Sequence, residues 1–151
     1  MPSDERRDAP AASSSAAPDV HVLYVTIARG AEAVYDFLAE PRNFPRWASG
    51  LADGLAPEGE WWSADGPAGP VRVRFSPRNP YGVADHEVRL DSGETVHVPL
   101  RVVPQGEGSL VMLTLFRQPA HTDASFDADR QWVERDLQRL RALLQSTGQA
   151  A

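Results

Sequence analysis

Between Leu51 and Pro119 every apolar run is short and is closed by turn chemistry within a few residues. The separators are "EG" at 58–59, "DGPAGP" at 65–70, "PRNPYG" at 77–82, "DSG" at 91–93 and "PQGEG" at 104–108. Parallel neighbours need a crossover of about a dozen residues or more, which these spacings do not leave, so the segment is restricted to an antiparallel meander. The spacing predicts strands at 52–57, 60–64, 71–76, 82–90, 94–103 and 109–118.

Three of these strands alternate cleanly. Val71, Val73 and Phe75 oppose Arg72 and Arg74, and Val96, Val98, Leu100 and Val102 oppose Thr95, His97 and Arg101. In the third, Ala84, His86, Val88 and Leu90 oppose Val83, Asp85, Glu87 and Arg89. Each has one dry face and one wet face. The last strand, "LVMLTLFR", is apolar on both faces, so it is either central in the sheet or covered by a partner, which makes a homodimer through 109–118 one of its readings.

Elements on either side complete an α+β pattern. "VHVLYVTIA", from Val20, has strand composition, and Gly30 ends it. "AEAVYDFLAE" places Ala31, Val34, Tyr35 and Leu38 at helical spacing until Pro41, and "PRNFPRWASGL" predicts a short helical turn or two carrying Phe44 and Trp47. From 125 to 145, Phe126, Val133, Leu137, Leu140 and Leu144 form one helical stripe, widened by Trp132 and Leu143. At about 30 Å that helix is long enough to lie across a whole sheet. Residues 1–19 carry Met1 as their one large apolar side chain, too little to offset the entropy of ordering, and are expected to be a disordered tail. The domain is expected over 20–146, with 147–151 a flexible end.

Chain length fits one domain. With no cysteine, disulfides, thiol nucleophiles and Cys-based metal sites are excluded. There is no lysine for a Schiff base and no G-x-S-x-G elbow. His21, His86, His97 and His121 are scattered without ligand spacing, and the glycines sit in hairpin turns, so neither a metal, a phosphate cradle nor any other cofactor is expected. All 15 basic residues are arginine, unclustered against 21 acids, and the net charge of -6 argues against nucleic acid. No apolar run approaches the roughly 20 residues of a membrane span, and no hydrophobic segment follows Arg6 and Arg7, so a cytoplasmic protein is expected.

That leaves the interior. Strand alternation turns His86 inward with Ala84, Val88 and Leu90. It is either a satisfied core histidine, or a polar anchor for a ligand in an apolar cavity, or, within the second case, a general acid or base. Asp129 and Asp136, seven apart, share one edge of the long helix beside Leu137 and Leu140; either they are surface charge or one of them reaches inward. Trp61 and Trp62 are consecutive and must face opposite ways.

The segments "AVYDFLAEPRNFPRWASGL", "YGVADHEVRL", "VPLRVVPQGEGS", "TLFRQPA" and "DADRQWVERDLQRLRALL" resemble the bacterial START-like (SRPBCC) proteins, often labelled polyketide cyclase-like. The resemblance implies a helix-grip fold: a curved antiparallel sheet of about seven strands, two short helices after the first, and a long C-terminal helix across the sheet. It also implies a small hydrophobic or aromatic ligand, lipid- or polyketide-like, held between sheet and helix. The expected ligand-binding residues are Trp47, His86, Val88, Val98, Leu100, Trp132 and Asp136. Two alternatives stand beside a binding protein: a cyclase-, aromatase- or dehydratase-like enzyme with His86 as the catalytic residue, and a regulatory module that binds protein.

Overall fold

The computed structural model describes residues 19–51, 54–67 and 69–148. The tail expected over 1–19 lies outside the described residues except for Asp19, as do the last three residues of the expected flexible end. The fold opens with β1 (Val20–Ile27), α1 (Ala31–Ala39), a 3-10 turn (Pro41–Asn43) and α2 (Phe44–Trp47). Six short strands follow, β2 (Ala56–Glu58), β3 (Trp61–Gly66), β4 (Gly69–Phe75), β5 (His86–Arg89), β6 (Thr95–Val98) and β7 (Leu100–Gln105). β8 (Gly108–Phe116) and the long α3 (Asp123–Gly148) complete it.

The meander is antiparallel throughout. β2-β3-β4-β5-β6 form one sheet and β1-β8-β7 a second. The predicted strand at 94–103 is thus two, and Pro99 is the reason: it has no N–H for the ladder, so the strand breaks there. The break is local. His86 opposite Val98 and Val83 opposite Arg101 keep one register across it, and Thr114 N–H donates to the Pro99 carbonyl at 3.0 Å. The strand predicted at 82–90 correspondingly joins both sheets, its ladder lying over His86–Arg89 and its earlier residues reaching β7. β8 lies between β1 and β7, the central one of the two positions its apolar faces allowed.

The seam between the sheets is tightly bonded. Ala84 N–H donates to the Leu100 carbonyl at 2.8 Å and Val102 N–H to the Gly82 carbonyl at 2.9 Å. Asp85 accepts from Leu100 N–H and, on both oxygens, from the Arg101 guanidinium, each at 2.8 Å. Burial works against ionisation of Asp85, but Arg101 and the Leu100 amide outweigh it, so its carboxyl stays below the ordinary value. Gly82 has φ +71°, and a Cβ there would press on the Val102 carbonyl oxygen. Gly82→Ala combines left-handed strain with that backbone clash, and thermal unfolding should show a loss of about 2 kcal/mol or more. A loss below about 0.5 kcal/mol would mean that the seam tolerates a shift of the backbone.

The helices close the inner side. Thr122 and Ser125 cap α3 reciprocally, Ser125 N–H donating to Thr122 Oγ1 at 3.0 Å and Thr122 N–H to Ser125 Oγ at 2.9 Å. The predicted stripe is the buried one: Phe126, Leu137, Leu140 and Leu144 are buried and Val133 packs beside them. With Val25, Ile27, Val34, Leu100, Val111 and Leu113, the three leucines and Val133 form one continuous apolar core, while the Phe126 ring packs between His21 and His121. The architecture is the α+β helix-grip arrangement, with eight strands and two short helices ahead of α3.

Candidate ligand site around His86

Pairing of β4 with β5 places Phe75 directly opposite His86, both on the inner face. Phe44 of α2 closes over them, its ring 5.1 Å from the His86 ring and 5.4 Å from Phe75, edge-on to both. Trp47 stands edge-on to Phe44 at 5.4 Å. A single-turn helix can present both aromatics inward because Phe44 and Trp47 are three apart. His86 is 5% exposed, and its Nδ1 is buried with no hydrogen-bond partner among the described residues. Burial disfavours the charged ring and pushes its pKa down to about 4, against smaller opposing effects of the Ala84 carbonyl, which lies near the ring but outside hydrogen-bonding geometry to Nδ1, and of the Asp85 charge. At neutral pH the imidazole is uncharged, with one ring nitrogen donating a hydrogen bond and the other accepting one.

His86 is also the one ionisable side chain on the inner faces of β3 to β8 among the described residues. Val73 and Ala84 beside it are buried, and Val88 and Val98 are half-buried. An open groove of about 520 Å³ reaches this end of β4 and β5; Phe75 and His86 line it together with the polar side chains of Glu60, Arg74, Ser76, Asp85, Glu87 and His97. Arg74 donates to Glu87 at 2.6 Å.

The other expected site residues are spread more widely. Trp47, 3% exposed, and Leu100 are core. Trp132 on α3 is 40% exposed and lies over Gly50. Asp136, one turn further, is the acid of the pair that reaches inward: its Oδ1 accepts from Ser49 Oγ at 2.6 Å and Ser49 N–H at 3.2 Å. Burial raises its pKa, opposed by those two donors. Asp136 therefore ties α3 to the chain just after α2. Asp129 instead pairs with His121, Oδ2 to Nε2 at 2.6 Å, while Gln118 N–H donates to His121 Nδ1 at 2.8 Å, which leaves Nε2 as the protonated nitrogen. Of the consecutive tryptophans, Trp62 shares the inner face with Val73, and Trp61 stands outside between the guanidiniums of Arg74 at 4.7 Å and Arg89 at 4.4 Å.

Phe44, Phe75 and Ser49 belong to this neighbourhood and were not expected in it. Phe75 was legible as inward-facing, but its meeting with His86 depends on the register of β4 on β5 across a ten-residue connection, and that of Phe44 on how α2 docks. Ser49 had no signal at all.

No protein-family model and no curated protein matches this sequence. Solved structures do. A START superfamily protein from Mycobacterium smegmatis superposes with a TM-score of 0.62 at 13% identity, over 85% of this chain and 98% of that one. The fold is START-like. The Aha1 dimer from Colwellia psychrerythraea matches at 0.65 and 13% identity, over 83% of this chain and 96% of that one. DynU16, from the dynemicin biosynthetic locus, matches at 0.64 and 14% identity, over 86% of this chain and 48% of that one. At these identities the START-like likeness is one of fold, and the chemistry rests on the residues just described.

Proposed function

We propose that the protein binds a small hydrophobic or aromatic molecule, lipid- or polyketide-like, on the inner face of the sheet, anchored by the neutral His86 ring. The observation that carries this reading is the buried, unpartnered Nδ1 set among Phe44 and Phe75. An unmet buried polar atom costs about 1–3 kcal/mol, which a ligand's donor or acceptor would recover. The adjoining groove of about 520 Å³ lies within the size range of small-molecule sites. Phe44 and Trp47 stand on a helix of four residues whose following chain is held to α3 by the Ser49–Asp136 contact.

A single ionisable group on the inner faces of β3 to β8, His86, suits binding better than catalysis. With a pKa near 4, on the order of 0.1% of His86 is protonated at pH 7, a poor general acid for a cyclase- or dehydratase-like reaction. The neighbours from the dynemicin locus and the START superfamily are compatible with a ligand-binding role. A homodimer through 109–118 is a second reading, favoured by Phe116 on the outer face of β8 and by the existence of a dimeric neighbour, Aha1.

The neutral fluorophore N-phenyl-1-naphthylamine tests the binding reading. It should bind with a Kd of roughly micromolar, about 8 kcal/mol, and be displaced by fatty or polycyclic compounds. His86→Phe keeps the ring and removes both nitrogens, so the Kd should rise about tenfold while the fold persists. No displaceable binding in the unaltered protein would sink the proposal. Unchanged binding in the variant would remove His86 from it.

A further inference from the structure

Among the described residues seven large apolar side chains stand exposed, and five of them are Val20, Val22, Tyr24, Val103 and Phe116. All five lie on the outer face of β1-β8-β7, where Val20 pairs with Phe116, Tyr24 with Met112 and Val103 with Leu110. Val22 is 60% and Tyr24 68% exposed. β1 is also the end strand of that sheet, paired on one side with β8 over all eight residues. Its sequence, VHVLYVTI, has no proline, no acid and no arginine, so its own side chains supply none of the usual devices that blunt a free edge.

Along the free edge runs a groove of about 850 Å³, walled by the middle of β1 at Val22, Leu23 and Tyr24 and by α3 at Gln131, Glu134, Arg135 and Gln138. The two walls share a midpoint: Leu23 and Tyr24 are the centre of β1, and Glu134 and Arg135 the centre of that stretch of α3. Glu134 and Arg135 are adjacent and opposite in charge, and Glu134 already accepts from Arg130 one turn earlier at 2.8 Å.

We propose that this edge pairs with the same edge of a second copy of the chain. A twofold axis between Leu23 and Tyr24 sets the two β1 strands antiparallel, continues the sheet across the axis, and merges the two apolar outer faces. It also sets the two α3 stretches against each other, so that Glu134 of each copy meets Arg135 of the other. The pattern is self-complementary, which is what an interface between identical copies requires. Residues 1–18, which lead into β1, are a poorer occupant, since Met1 is their one large apolar side chain.

Sedimentation velocity of the full chain from about 1 to about 100 µM decides it, a range that spans the affinity of a modest dimer. The unaltered protein should move from monomer to dimer within it. Val22→Glu, at an exposed position, should keep its melting temperature to within a few degrees and shift the midpoint upward at least tenfold. Glu134→Arg and Arg135→Glu should each weaken the dimer, and the two together should restore it. A monomer at every concentration, a dimer unaffected by Val22→Glu, or a double charge swap no better than either single one would each overturn the proposal. None of these results touches the ligand reading, whose test is binding to the inner face.

Discussion

Acidification should cost this protein stability through His86. The unfolded ring takes up a proton near pH 6.5, whereas the folded ring, pushed down to about 4, stays neutral. Between those values the unfolded state binds more protons, so stability is intact above about pH 6.5 and falls as the pH drops toward 4. A gap of about 2.5 pKa units corresponds to about 3 kcal/mol, a large part of the 5–15 kcal/mol that holds a typical domain together. Other groups titrate in the same window, so the quantity to measure is the difference between the unaltered protein and His86→Phe. Chemical denaturation at pH 7 and pH 4 should show the unaltered protein losing about 3 kcal/mol more than the variant. Parallel losses would mean that the ring finds a partner or water in the folded state, and the unmet Nδ1 would no longer call for a ligand.

Trp47→Ala should be at least as damaging. Trp47 was expected among the ligand-binding residues; it is 3% exposed against Phe44. Truncating a buried tryptophan costs about 3–5 kcal/mol, transfer and cavity terms together. The void left behind is lined by apolar groups, and an apolar cavity of this kind stays dry and takes up a matching small molecule. Indole added to the variant should therefore raise its melting temperature, while the unaltered protein should show no comparable gain. A loss below about 1 kcal/mol, with no response to indole, would place Trp47 at an opening rather than in the packing.

The elements were legible because their signals are local. Alternation fixed which side of 82–90 turns inward, and His86 is buried with Ala84 while Arg89 is exposed. The α3 stripe needed nothing beyond its own 3.6-residue period. Pro99 was visible, yet its effect was not anticipated: the inward period of Val96, Val98, Leu100 and Val102 runs through it unbroken, and what fails is a backbone donor, which hydrophobic patterning does not report. Asp85 is a related case. It reads as an outward acid beside a histidine, but its carboxylate accepts from Leu100 N–H just past the proline and from Arg101, a role set by strand pairing. Contacts between distant elements, Phe44 on His86 or Ser49 on Asp136, are set by how α2 and α3 dock, and no periodicity carries that information.

The central claim is that His86 Nδ1 meets the ligand, and the ring nitrogens report on this directly. Long-range proton–nitrogen NMR of uniformly labelled protein, with and without N-phenyl-1-naphthylamine, should show the His86 Nδ1 resonance moving in a saturable way as a new hydrogen bond forms. Those of His21 and His121, outside the groove, should stay in place. Saturable binding that leaves the His86 nitrogens unmoved, or that shifts another histidine instead, would contradict the account.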